Sequence, residues 1–195
     1  MQIQIKSSRG ITLIPEETLL LADRKIFLEG DITQPTACRF MRQVMLLTKD
    51  DRTKPINVFI NSCGGEINAG MLIYDVIQSS LAPLRLICTG QAYSMGAILF
   101  AGGNNGRYML PHSELMLHEP LLGNRVGGNS SSIKSISESL TETKNKLNVI
   151  LSKHTGQKVS VIEEATRFDH YFTPEEAVAF GLCDKIIDFS AIMEG

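Results

Sequence analysis

A serine, a histidine and an aspartate in this chain have the types and the order that nucleophilic catalysis can use. Ser94 follows an apolar run at 84–89 that is typical of a buried strand, and the small residues around it allow a sharp turn into a helix. A serine on such a turn presents its hydroxyl beside the free backbone N–H groups of the helix start, as a nucleophile does. The alternative is that Ser94 only caps the helix.

A serine nucleophile needs a general base, and the chain contains four histidines. His118 ends an apolar segment that predicts a strand, so its side chain is expected at a strand end beside other turns. His112 lies in a predicted turn, and His154 precedes Gly156, which is expected to end a helix. His118 is therefore the candidate base, and a purely structural histidine is the alternative.

The third group would be a carboxylate that orients the imidazole. No aspartate lies between Ser94 and Asp169, and a single histidine follows Asp169. The Ser…Asp…His order of α/β-hydrolases therefore fits poorly, whereas Ser94…His118…Asp169 defines a different order. The reserve candidates for the carboxylate are Asp184 and Asp188.

Motifs for other chemistries are missing from the sequence. There is no Gly-x-x-x-x-Gly-Lys-Ser/Thr loop, no Gly-x-Gly-x-x-Gly after a strand and no His-Glu-x-x-His helix. The four cysteines form no Cys-x-x-Cys pair, and His118-Glu119 alone does not define a metal site. We therefore expect no cofactor and no metal ion in this chain.

Composition limits the possible partners. The chain has 195 residues, 43% of them hydrophobic and 21% charged, which fits one globular domain. A formal charge of −2 does not favour a basic nucleic-acid-binding surface. The amino terminus lacks the apolar core of a signal peptide, and no apolar run is long enough to span a bilayer. We expect a cytoplasmic protein with no nucleic-acid and no membrane partner.

Strand and helix patterns alternate along the chain, with glycine-rich turns between them. Strands are predicted at 25–28, 56–60, 84–89, 107–110, 114–118 and 185–187. This alternation predicts an α/β domain with largely parallel strands and ligand sites at their carboxyl ends, so Gly64, Gly65 and Ser94 are expected on one edge.

Three segments stand apart from this pattern. Residues 1–20 are weakly patterned and predict a flexible arm or a short strand that needs a partner. Residues 123–132 predict a loop or an exposed edge. Residues 132–154 predict a long helix whose polar first half projects from the body or packs against another subunit, with a simply solvated helix as the alternative.

Several short motifs occur in unbroken order over about residues 22–188. They are Asp-Arg-Lys-Ile-Phe-Leu at 23–28, Ile-Asn-Ser-Cys-Gly-Gly at 60–65, Ala-Gly at 69–70 with Ile-Tyr-Asp at 73–75, Ala-Tyr-Ser-Met-Gly-Ala at 92–97, Met-Leu-His-Glu-Pro at 116–120, His-Thr-Gly-Gln at 154–157, and a stretch at 176–182 that opens with Glu-Ala-Val and closes with Gly-Leu. Through these motifs the chain resembles the ClpP family, the proteolytic subunits of the ATP-dependent Clp protease.

The resemblance implies a catalytic triad of Ser94, His118 and Asp169, with the backbone N–H groups of Gly65 and Met95 as the oxyanion hole. It also implies an α/β fold of the ClpP/crotonase type, a spiral of ββα units with a protruding handle helix at about 132–154. Residues 1–21 would form an axial arm, and residues 22–195 the peptidase domain.

The resemblance further implies a serine endopeptidase that cuts unfolded polypeptides inside a closed chamber. The chamber would consist of two stacked heptameric rings, homo-oligomeric or mixed with another ClpP subunit. A separate AAA+ unfoldase would use ATP and feed the chamber, so this chain would need no cofactor of its own.

Some positions depart from the family pattern. Tyr93 stands where Ala usually precedes the nucleophile and is expected to narrow the cleft or shift the turn. Cys63 replaces a Pro before the paired glycines, and Glu119, in place of Gln, would put a second carboxylate near the histidine. Arg167 and Phe168 replace an Asp-Arg pair that links ring contacts to triad alignment in the family.

The expected unfoldase-docking surface departs as well. Asn57 and Ser79 replace aromatic residues, and only Phe59 is kept. The departures at Ser79, Tyr93, Arg167 and Phe168 favour an alternative, a ClpP-like regulatory or structural subunit of a mixed complex with little activity alone. A third hypothesis is an acyl-CoA enzyme of the crotonase fold, which would also use an oxyanion hole. This hypothesis does not explain why the three candidate triad residues occur together.

Overall fold

The computed structural model describes residues 1–7, 10–123 and 127–193. The elements in chain order are β1 (Gln2–Ser7), β2 (Gly10–Pro15), α1 (Glu16–Ala22), β3 (Lys25–Ile32), α2 (Gln34–Asp50), β4 (Ile56–Gly65), α3 (Ile67–Ser79), β5 (Leu84–Tyr93), α4 (Met95–Ala101), β6 (Arg107–Met109), β7 (Glu114–Leu117), α5 (Ser130–Thr155), α6 (Val159–Thr166), β8 (His170–Phe172), α7 (Pro174–Phe180), β9 (Lys185–Ile186) and α8 (Phe189–Met193).

A seven-stranded sheet organises the chain. β3, β4, β5, β6 and β9 are neighbours in that order and run parallel. β5 pairs with β6 through its first half and with β7 through its last three residues, and β7 pairs antiparallel with β8. Because parallel strands end at one edge, the ends of β4, β5 and β7 meet there, and β8 begins at that edge since it runs the opposite way. The predicted α/β fold with largely parallel strands is confirmed.

The helices bury the apolar positions that their periodicity indicates. α2 buries Ala37, Phe40, Val44 and Leu47, which recur at helical spacing and form one apolar face. All seven residues of α4 are buried, so this helix lies inside the core. The helix that follows the candidate nucleophile is therefore fixed on every side by close packing.

Capping residues set several helix ends. Thr173 and Glu176 form a capping box at the start of α7, with Pro174 at the first helical position. Gly156 ends α5 and Gly181 ends α7, both in the left-handed conformation.

The amino-terminal segment differs from the prediction. β1 and β2 form an antiparallel hairpin, in which Ile3 pairs with Ile14 and Ile5 with Thr12, and the short helix α1 follows. The expectation was a flexible arm or a short strand that needs a partner, and the chain itself supplies the partner strand. Local alternation alone did not reveal that second strand.

The central strands are longer than predicted. β3 continues past Gly30, β4 includes Gly64 and Gly65, and β5 includes Gly90. Glycine-rich turns were expected between the strands and the helices. The strands instead continue through these positions, although Gly30, Gly64 and Gly65 have positive φ of 69°, 98° and 147°, and the register shifts in β3–β4 and β4–β5. The strands were therefore predicted to end too early.

α5 begins two residues before the predicted start, because the Asn129 side chain accepts a hydrogen bond from the Ser132 N–H. The predicted loop at 123–132 is correspondingly shorter, and residues 124–126 lie outside the described residues. The buried residues of α5 all lie between Leu147 and Leu151, so the first half of the helix is not buried by the body. α6, β8 and α8 were not predicted.

Within the residues that the structure describes, no helix is both long enough and apolar enough to cross a membrane.

Candidate active site

Ser94 has a strained backbone at the junction of β5 and α4. Its φ of 53° and ψ of −119° lie outside the regions that residues other than glycine normally adopt. Such strain costs on the order of 1–3 kcal/mol and persists where the surrounding structure imposes it. Here the Ser94 N–H donates to the Met116 carbonyl at 2.8 Å, which ties the turn to β7. The side chain makes no capping hydrogen bond, so the alternative that Ser94 only caps the helix finds no support.

The hydroxyl of Ser94 instead contacts His118. The distance between Ser94 Oγ and His118 Nε2 is 2.7 Å, within the range of a hydrogen bond. His118 directly follows β7, and its side chain is 16% exposed. β5 and β7 are parallel neighbours, so the residues after their ends lie side by side. The arrangement brings a nucleophile and a base into direct contact.

Asp169 lies on the other side of the imidazole, but farther away. Its Oδ1 is 3.6 Å from His118 Nδ1, which is longer than a hydrogen bond, and its side chain is 59% exposed. The pairing of Leu117 with His170 in the β7–β8 ladder places Asp169 next to His118. The structure therefore brings all three side chains together. Ser94 and His118 are within hydrogen-bond distance, whereas His118 and Asp169 face each other without a hydrogen bond, which we call the open contact.

The paired glycines at the end of β4 pack against the serine turn. A Cβ on Gly64 would lie 2.8 Å from Ser94 Cβ and 3.2 Å from Met95 N, and one on Gly65 would clash with the Ile32 carbonyl oxygen. Both residues have positive φ, so only glycine fits there without strain. Met95 is the first residue of α4, so its N–H has no acceptor within that helix.

A cavity of about 260 Å³ opens in front of Ser94. Gly65, Met95 and His118 line it together with Ser94, which puts both candidate oxyanion residues at the cleft. The remaining wall is mainly apolar and consists of Cys63, Ile67, Ile98, Met116, Leu121 and others. Such a cleft suits an apolar side chain held beside the serine hydroxyl.

Tyr93 does not enter this cleft, contrary to expectation. Its hydroxyl donates a short hydrogen bond to the Glu114 carboxylate, which raises the pKa of Tyr93 to about 12. Its ring packs edge-on against Tyr171 with 5.7 Å between centroids. The side chains at these positions point to one face of the sheet because Tyr93, Met116 and Tyr171 occupy paired positions on β5, β7 and β8.

Glu119 also points away from the expected partner. Its carboxylate lies 2.7 Å from the Lys144 ammonium on α5. Both side chains are about one-third exposed, so the pair adds little stability but connects the residue after His118 to the long helix. Glu119 therefore pairs with Lys144 rather than with His118.

Cys63 lies directly before the paired glycines and lines the cleft. Its thiol donates to the Asp31 carboxylate at 3.1 Å, and this hydrogen bond raises the pKa of Cys63 above its ordinary value. The exposed thiol of Cys63 is thus held protonated at the rim of the cleft.

The other titratable candidates have partners elsewhere. Asp184 binds the Arg107 guanidinium and its backbone N–H, so it is a structural carboxylate. His154 Nε2 lies 2.8 Å from the Tyr74 hydroxyl, and burial lowers the pKa of His154. Asp188 is exposed and directly precedes α8.

The positions that depart from the ring-contact and docking patterns lie outside the cleft. Phe168 is 76% exposed, and the Arg167 guanidinium lies 5.7 Å from its ring centroid. Ser79 donates to a carbonyl of its own helix, and Phe59 stacks on Phe27 with 4.8 Å between centroids. Asn57 is half-buried in β4.

Sequence reasoning missed Glu114, Tyr171 and Lys144 as partners of residues near the site. Each contact joins segments far apart in the chain, so no local spacing signals it. Over residues 1–7, 10–123 and 127–193, no cluster of three or more His, Cys, Asp or Glu side chains is arranged to hold a metal ion.

A parallel α/β sheet with a strained serine between strand and helix, hydrogen-bonded to a histidine, is an arrangement of serine hydrolases. A sequence model of the Clp protease family matches residues 9–190. The chain belongs to the Clp protease family, which confirms the resemblance drawn from its motifs. This is a family of serine peptidases whose members need no cofactor in their own chain.

Proposed function

We propose that this chain is a cytoplasmic serine endopeptidase, the proteolytic subunit of an ATP-dependent Clp protease, with Ser94, His118 and Asp169 as its catalytic triad. The observation that carries the proposal is the strained Ser94, whose hydroxyl lies 2.7 Å from His118 Nε2. The Ser94 side chain makes no helix-capping hydrogen bond, so helix capping does not explain the strained backbone. Strain of this kind is typical of functional sites.

The chemistry proceeds through an acyl-enzyme. Ser94 Oγ attacks the peptide carbonyl carbon while its proton passes to His118 Nε2, and Asp169 stabilises the resulting imidazolium. The N–H groups of Gly65 and Met95 stabilise the carbonyl oxygen as it becomes negative. When the C–N bond breaks, the leaving amine takes the proton from His118. Water then loses a proton to His118 and attacks the ester, which releases the acid and restores the Ser94 hydroxyl.

The assembly belongs to the same proposal. Residues 1–21 form an axial arm, and residues 22–195 form the peptidase domain with α5 as its handle. The unburied first half of α5 and the exposed Phe168 support contacts to other subunits in two stacked heptameric rings. Unfolded polypeptides are the substrates, and a separate AAA+ unfoldase delivers them, through a docking surface in which Asn57 and Ser79 are polar.

Degradation of an unfolded protein tests this function. Purified chain is incubated with fluorescein-labelled casein, and release of small fluorescent peptides is followed. We expect release by the wild type, none by His118→Ala, and unchanged release by Ser160→Ala, which alters an exposed serine on α6. Equal release by wild type and His118→Ala would contradict the proposal.

A second candidate function is a subunit of a mixed complex that has little activity alone and becomes active in the mixed ring. It is favoured by the open His118–Asp169 contact of 3.6 Å and by the 59% exposure of the Asp169 side chain. A subunit interface that covered Asp169 would exclude water from this contact and strengthen it electrostatically.

Mixing experiments separate the two candidates. The purified chain is assayed alone and together with another ring-forming subunit of the family whose own nucleophile has been replaced by alanine. Turnover by the chain alone supports the first candidate. Turnover that appears only in the mixture, and disappears with Ser94→Ala in this chain, supports the second.

A further inference from the structure

The side chain of Tyr93 lies where three strands meet. Tyr93 is the last residue of β5, directly before Ser94. Its hydroxyl donates a hydrogen bond to Glu114, the first residue of β7. Its ring meets Tyr171, the middle residue of β8, at an interplanar angle of 88° and a centroid distance of 5.7 Å. One side chain therefore joins β5, β7 and β8.

These are the strands that carry the three candidate triad residues. β5 ends directly before Ser94, β7 ends directly before His118, and β8 begins directly after Asp169. The β7–β8 pairing is short and consists of three residue pairs. Any displacement of β8 along or away from β7 therefore changes the distance between His118 and Asp169.

β8 is held unevenly. Its inner end is fixed by Phe172, which is buried and packs against Phe180. Its outer end, next to Asp169, has two exposed residues, His170 and Tyr171. His170 stacks on Phe172 of the same strand, so it adds no link to another strand. The contact of Tyr171 with Tyr93 is the aromatic contact that anchors this end to β5.

The spacing at the imidazole makes this anchor important. His118 Nδ1 and Asp169 Oδ1 are 3.6 Å apart, and a hydrogen bond requires no more than about 3.2 Å. A movement of Asp169 by a few tenths of an ångström thus decides whether it orients the imidazole through a hydrogen bond or lies beside it without one.

We propose that Tyr93 is a positioning residue for peptide hydrolysis, which holds β8 against β5 and β7 through Tyr171 and Glu114 and so sets the distance between Asp169 and His118. The inference rests on the proposed function. Tyr93 does not line the cleft, so it acts through Asp169 and not on the substrate.

The test combines kinetics with hydrogen exchange. Tyr93→Leu removes both contacts, and Tyr93→Phe keeps the ring against Tyr171. Tyr108→Leu is the matched control, because Tyr108 is a partly buried tyrosine on β6 of the same sheet. For each variant, kcat and KM are measured with a fluorogenic peptide, and amide exchange of residues 168–173 is measured by mass spectrometry.

We expect Tyr93→Leu to lower kcat about tenfold, because the loss of one aromatic contact shifts the equilibrium between aligned and misaligned positions of β8 by about this factor. The KM of the variant should stay within about twofold of the wild-type value. Exchange at 168–173 should rise, Tyr93→Phe should restore most of its protection, and Tyr108→Leu should change neither quantity. In an Asp169→Asn background, Tyr93→Leu should cause no further loss of kcat, because the residue acts through Asp169.

Two results would overturn the inference: the same loss of kcat in both backgrounds, or unchanged exchange at 168–173 in Tyr93→Leu. Failure of the proposed function gives a different result, namely no turnover by the wild type alone or in mixed rings. The exchange data then still decide whether Tyr93 holds β8.

Discussion

Replacing Asp169 with asparagine removes the charge that faces the imidazole and keeps the shape of the side chain. A unit charge 3.6 Å from an imidazolium is worth about 1 kcal/mol in bulk water and about 5 kcal/mol near a protein surface. Because the Asp169 side chain is 59% exposed, the value should fall in the lower part of this range. We therefore expect kcat to fall roughly 10- to 100-fold, at about 1.4 kcal/mol per factor of ten.

This loss is much smaller than the roughly 10⁴-fold loss known for a buried, hydrogen-bonded triad aspartate, where asparagine also imposes the wrong tautomer. At 3.6 Å the aspartate makes no hydrogen bond to His118, so asparagine at this position cannot impose the wrong imidazole tautomer through such a bond. The assay is steady-state hydrolysis of a fluorogenic peptide by wild type and Asp169→Asn, with Asp188→Asn as the control at an exposed aspartate outside the site.

A loss near 10⁴-fold in Asp169→Asn would show that the working enzyme closes the histidine–aspartate contact, which would refute the estimate. Unchanged kcat would refute any role for Asp169. Asp188→Asn should retain wild-type kcat and KM.

Three further predictions follow from other contacts. Gly64→Ala places a Cβ 2.8 Å from Ser94 Cβ at a positive φ, so labelling by a serine-directed probe should slow more than tenfold, and unchanged labelling would contradict the packing. Thr173→Ala removes a capping box and should lower the unfolding free energy by about 1 kcal/mol in urea titrations. Burial lowers the pKa of His154 below 6.5, so the folded state binds this proton less readily than the unfolded state, and stability should fall as pH drops below 6.5. His154→Gln should flatten that decline in denaturation measured across pH, and an equal slope in both proteins would oppose it.

The parts of the fold that follow from sequence are those fixed by local chemistry. The apolar run before Ser94, the capping pattern at Thr173 and the left-handed stops at Gly156 and Gly181 each act within a few residues. The order of Ser94, His118 and Asp169 also identified the three side chains that the structure brings together. Strand order explains this success, because parallel strands deliver the residues after their ends to one edge.

The parts that sequence did not predict depend on partners distant in the chain. Gly90 looks like a turn residue but is extended, because β5 continues to pair with its neighbours around it. Tyr93 faces Glu114 and Tyr171, and Glu119 faces Lys144, contacts that no spacing rule specifies. β8 was missed because three residues are too few for a periodic pattern, and it takes its strand form from pairing with β7.

Covalent labelling of Ser94 tests the central claim most directly. Wild type and Ser94→Ala are treated with a fluorophosphonate probe, and the modified peptide is identified by mass spectrometry. The hydrogen bond of 2.7 Å between Ser94 Oγ and His118 Nε2 predicts one adduct, on Ser94, in the wild type and none in Ser94→Ala. Equal labelling of both proteins, or an adduct on Cys63 instead, would contradict the assignment of Ser94 as the nucleophile.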